Sequence, residues 1–163
     1  IHAAVENNTW LHLGSNSCED RLYCLTRICE PCKEHVDNNF SPLTSDCVTE
    51  FLPIRNEMCE LMGRTQNAIE TNNYEDSNDI LVKGDELKNK ISAMRKVQMN
   101  RMQDNTTNLR ASLVYLNILQ ESQELVSVWR HLLRASKRFQ EESTEQVQEE
   151  ESLLEDKLSI KNA

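Results

Sequence analysis

The residues with the most chemistry in them are six cysteines, Cys18, Cys24, Cys29, Cys32, Cys47 and Cys59, all in the first 59 of 163 positions. Cys29-Glu30-Pro31-Cys32 has the Cys-x-x-Cys spacing of thiol oxidoreductases, in which a helix N-terminus lowers the thiol pKa. Such sites stand at a strand-to-helix junction, whereas this run lies late in a helical stripe with no strand candidate near it. Cys24, Cys29, Cys32 and His35 alternatively make a three-cysteine, one-histidine set for tetrahedral zinc. All four ligands would then come from one short helical stretch, and Cys18, Cys47 and Cys59 would leave an odd thiol.

The leading reading of the cysteines is structural. An even set so crowded, on a chain opening on Ile1 as a processed or excised segment would, predicts disulfides and an oxidising compartment. If the first two helices form a hairpin, nesting Cys18 with Cys59, Cys24 with Cys47 and Cys29 with Cys32 pairs all six. Cys29 with Cys47 is an alternative that strands Cys24 and Cys32. The sequons at Asn7, Asn39 and Asn105 are candidate glycosylation sites and agree with a secreted, extracellular protein.

No other constellation points to catalysis. His2, His12, His35 and His131 have no nucleophile or carboxylate at a recognisable spacing, and no phosphate-cradling glycine loop is present, so no enzyme activity and no cofactor or metal are expected. Arg130, Arg134, Lys137 and Arg138 form a basic stripe that could suit an acidic partner or a sulfated glycan, with a solvated helix face, paired with the acidic tail that follows, as the stronger account. Met94, Met99 and Met102 suggest a groove for an apolar ligand, with ordinary core packing as the plainer account. A net charge of −9 opposes nucleic acid and anionic membrane surfaces, and no apolar run is long enough to insert in a bilayer.

The elements that must position these residues are helical. Aromatics make up only 5% and charged residues 28%, a balance closer to amphipathic helices than to a sheet. Cys18, Leu22, Leu25, Cys29, Cys32 and Val36 step by three and four residues as one apolar stripe, with Pro31 predicting a kink or end near Ile28 to Glu30. After a turn at Asn38 to Pro42, Thr44 or Ser45 caps a second helix with Cys47, Phe51, Ile54, Met58 and Leu61 inward, and Gly63 is the expected stop. Residues 64–78 read as a loop. A third helix from Ser77 or Asp79 turns Ile80, Leu87, Ile91, Met94 and Val97 inward.

The Asp104 to Asn108 run has poor helix propensity and is either a turn or the middle of one very long helix. Beyond it Ala111, Ile118, Leu125, Leu132 and Phe139 recur every seven residues as a coiled-coil-like seam, and Leu153 and Ile160 keep that register into an acidic stretch. The predicted fold is therefore all-α: a disulfide-stapled bundle of about four helices over residues 1–140, with a long C-terminal coiled-coil-like helix whose tail, residues 141–163, is acidic. The predicted function is a secreted, non-enzymatic binding protein (ligand, antagonist or effector) that contacts an extracellular protein, with homodimerisation through the C-terminal helix open. An apolar-ligand carrier is the second reading; a thiol-redox or structural zinc protein is the third.

Overall fold

A computed structural model of the chain describes residues 23–104 and 108–161, with side chains described as far as residue 148. Four helices follow in order: α1 over residues 23–37, α2 over Ser45–Thr71, α3 over Ser77–Gln103 and α4 over Leu109–Lys161. Cross-helix contacts set the directions. Glu57 with Lys90 and Glu50 with Arg101 place α2 antiparallel to α3, while Asp85 with Arg130 and Ser77 with Lys137 place α3 antiparallel to α4. The core is one cluster that includes Ile54, Met58, Leu61, Ile80, Leu87, Ile91, Leu119, Val126, Trp129 and Leu133.

Local signals account for most of the helix ends. Thr44 is the N-cap of α2 and accepts from the Cys47 amide, and Asp46 in the first turn suits the helix dipole. α2 runs past Gly63, which has open space around it, and ends at Asn72 in the left-handed conformation with its N–H turned back to Ala68 and Ile69. The expected loop at residues 64–78 therefore shrinks to 72–76. Thr65 and Ala68 extend the buried stripe by two more turns, which outweighs one glycine at about 1 kcal/mol. Pro31 and Pro53 likewise sit inside continuous helices.

α4 carries the predicted seam. Ala111, Ile118, Leu125 and Leu132 are buried, and Phe139 is where exposure begins. Gln140 donates to the Asn72 carbonyl at the α2–α3 turn, so the 21 residues of α4 after it run about 30 Å past that level at 1.5 Å each. The helix is continuous across the expected boundary at residue 140.

The staple is a correction. Cys29, Cys32, Cys47 and Cys59 are free thiols, Cys24 is buried, and no two described cysteines lie at disulfide distance; Cys18, and with it the Cys18–Cys59 pair, lies outside the described residues. The expected face of α1 is also reversed. Cys24 and His35 are buried and Ile28 and Pro31 half-buried, whereas Leu25, Cys29 and Val36 face solvent. The bundle is instead joined to α1 by polar contacts. Arg27 pairs with Glu121, the Asn117 amide donates to the Arg27 carbonyl at 2.9 Å, and the Arg110 guanidinium stacks 3.8 Å over Phe40.

Two stability predictions follow from these contacts. Glu121 is 0% exposed while Arg27 is 47% exposed, so Arg27→Ala strands a buried carboxylate. Breaking a buried pair costs about 3–5 kcal/mol, which water reaching the half-open arginine side reduces here to about 2 kcal/mol. Urea unfolding should show that loss, and Glu121→Leu added to the same chain should recover most of it. At Gly84 an added Cβ would sit 2.7 Å from Arg130 Cδ, and that side chain is held to Asp85 at 2.5 Å. Gly84→Ala should therefore destabilise despite a propensity gain of about 1 kcal/mol, and should become stabilising once Arg130 is also alanine.

Candidate functional site

One end of the bundle holds a buried polar cluster that sequence periodicity did not reveal. Val97, expected inward, is exposed, and its neighbour Gln98 is buried in its place. The Gln98 amide group donates from Nε2 to Ser112 Oγ at 2.9 Å, and its Oε1 accepts from the Cys47 thiol at 3.7 Å and from Arg101 at 3.4 Å. Arg101 in turn forms a two-pronged pair with Glu50, at 2.6 and 3.0 Å. That pair holds the Glu50 carboxyl below its ordinary range, chiefly through the hydrogen bond. Thr44, Cys47, Glu50, Gln98, Arg101 and Ser112 thus tie α2, α3 and α4 together in one register.

Tyr115 lies beside this cluster, edge-on to Phe51, with its hydroxyl buried and, among the described residues, without a hydrogen-bond partner. Burial, with help from Cys47 and Glu50, pushes its phenol far above the usual value. Nothing in the cluster has the geometry of a nucleophile with an oriented base. Its chemistry is that of a register lock.

The basic stripe divides between two roles. Arg130 is directed at Asp85 across the α3–α4 interface, and Lys137 reaches Ser77 Oγ at 3.2 Å and Glu141 at 3.9 Å. Arg134 and Arg138 are exposed on the outer face of α4, with His131. The structure therefore does not present all four cations together. Of the expected zinc ligands, Cys24 and His35 face inward, and His35 Nε2 is engaged with the Ser41 carbonyl at 2.7 Å. Among the described residues no three of His, Cys, Asp and Glu come together to hold a metal ion.

Among the sequons, Asn39 is exposed on the α1–α2 turn with φ 52°, while Asn7 and Asn105 lie outside the described residues. Between α2 and α4 a groove of about 250 Å³ is lined by Met62, Gln66, Ile69, Glu70, Trp129 and Leu132. Of the expected methionines, Met99 is exposed on α3 and Met94 packs against the core. Among the described residues no helix is long and apolar enough to cross a membrane. No family model, curated protein or solved structure matches the chain. Function is therefore read from its own side chains.

Tyr115 supplies a pH test. Because its folded pKa is raised, the phenol contributes stability that is complete below the unfolded value of about 10 and is lost as pH rises beyond it. Tyr115→Phe should flatten that alkaline loss in a pH series of urea midpoints. At pH 7 it should be neutral or stabilising by about 1 kcal/mol, since it removes a buried, unpaired hydroxyl.

Proposed function

We propose that this chain is a non-enzymatic binding protein of the extracellular space that acts by occupying the surface of another protein. The observation that supports the reading is the outer face of α1. Leu25 is 43% and Val36 71% exposed, and where Arg110 stacks on Phe40 the same end of the bundle adds Leu109 and Leu113, 63% and 54% exposed. Isolated exposed apolar residues are ordinary, but a helix showing an apolar stripe outward while it packs by its other face has two surfaces to satisfy. The acidic net charge and the exposed Asn39 sequon favour a secreted setting over one rich in nucleic acid.

The carrier reading rests on the α2–α4 groove. At about 250 Å³ it is smaller than the ~300–1,000 Å³ usual for drug-sized ligands, so it suits an apolar side chain better than a lipid. That difference in volume favours protein contact over the carrier reading.

The test is capture from extracellular fluid with cross-linking and peptide mapping, using the intact chain, a Leu25→Glu/Val36→Glu variant and an Arg134→Glu/Arg138→Glu variant. Cross-links should fall on residues 25–36, and capture should drop at least tenfold in the α1 variant at unchanged helix content while persisting in the α4 variant. Undiminished capture by the α1 variant, or cross-links confined to α4, would reject the proposed face.

A further inference from the structure

Cys29 and Cys32 are one helical turn apart on the outer side of α1, Cys29 exposed and Cys32 half-buried, both as free thiols. They are close enough that Cys29, after burial, helps raise the Cys32 pKa. Their immediate helical neighbours on that side, Leu25 and Val36, are apolar. Side chains three apart on a helix have Cβ atoms about 5–6 Å apart, whereas a disulfide needs about 3.5–4.5 Å. The pair is accordingly not bridged, and both remain free thiols. A metal ion held between two thiolates places the sulfurs two metal–sulfur bonds apart, wider than the ~2.05 Å of a disulfide, and so suits side chains one helical turn apart.

We propose that Cys29 and Cys32 form a two-coordinate site for a soft monovalent cation, with monovalent copper as the representative ion. Softness follows from the donors, since thiolate ligands select copper(I) over harder ions. The coordination number follows from the surroundings. His35, the next residue in the i, i+3 series, is committed to the Ser41 carbonyl, and among the described residues no third ligand joins the pair to make a site for zinc. Binding is a proton exchange without electron transfer: each thiol gives up its proton, both sulfurs bond to the ion, and the product is a copper dithiolate of net charge −1 with two protons released. Because each sulfur binds as its thiolate, proton release accompanies binding and apparent affinity rises with pH.

The experiment is an anaerobic titration of the reduced, full chain with copper(I) supplied as its bicinchoninate complex, read by loss of the chelator's colour. The wild type should withdraw one equivalent. Cys29→Ser and Cys32→Ser should each lose at least a hundredfold in affinity at unchanged circular dichroism, while Cys18→Ser and Cys59→Ser should match the wild type. Unchanged affinity in either Cys29→Ser or Cys32→Ser overturns the site, as does loss of the equivalent in Cys18→Ser or Cys59→Ser. Failure of the α1 variant in protein capture bears on the partner proposal alone, because Leu25 and Val36 are not ligands.

Discussion

Everything in the bundle depends on the middle of α4 being closed to water over most of its circumference. Ile118 and Leu119, Glu121 and Ser122, Leu125 and Val126, then Leu132 and Leu133 are buried as adjacent pairs. Adjacent residues on a helix lie 100° apart, so pairs of this kind cannot be covered by one neighbour. α2 and α3 pack against part of that arc, through Phe51 on Tyr115 and Asp85 on Arg130. The part that includes Glu121 is met by α1, whose Arg27 supplies the charge the carboxylate requires. α1 is thus held as much by electrostatics as by its apolar area.

A second constraint fixes how the helices slide. Apolar stripes tolerate shifts by a turn, because one leucine replaces another, but a buried amide does not. Gln98 has its oxygen and nitrogen both engaged, with Cys47 and Arg101 on one side and Ser112 on the other. Any slip of α3 would leave those groups buried and unpaired, at about 1–3 kcal/mol each. Valine at the adjacent position could have filled the same space with no such penalty for being misplaced. The cluster therefore favours one register over its neighbours even where it adds little net stability.

Most of the helical layout was legible in the sequence, and the reason is physical. The seven-residue repeat from Ala111, the start of α3 near Ser77, the turn at Asp104 and the Thr44 cap are local signals, and local signals survive without knowledge of partners. The errors share a cause. Gly63 and Pro31 were expected to end helices on intrinsic propensity, and burial of Thr65, Ala68 and His35 overrides those penalties from other helices. Gln98 was invisible for the same reason, since its three partners lie 3, 14 and 51 residues away. The cysteines were counted as a framework because their number was even, yet no two described thiols meet.

The reversed face of α1 shows where pattern reading stops being able to decide. Leu25, Cys29, Cys32 and Val36 form one stripe, and Cys24, Ile28, Pro31 and His35 form another, of comparable apolar content and one residue out of step. Hydrophobicity alone ranks the first higher, because valine and leucine outweigh proline and histidine. The second wins because it has polar partners waiting. His35 finds the Ser41 carbonyl, and Arg27, alongside that face, finds Glu121 on a helix 94 positions further along the chain. A carboxylate at 0% exposure is costly to keep ionised without a cation beside it, and the pairing with Arg27 offsets that cost in a way the burial of two aliphatic side chains does not. The outward display of Leu25, Cys29 and Val36 is thus a consequence of how Glu121 is neutralised. Any activity of that face, toward a protein or a metal ion, rests on a charge of α4 that is buried against the other side of α1.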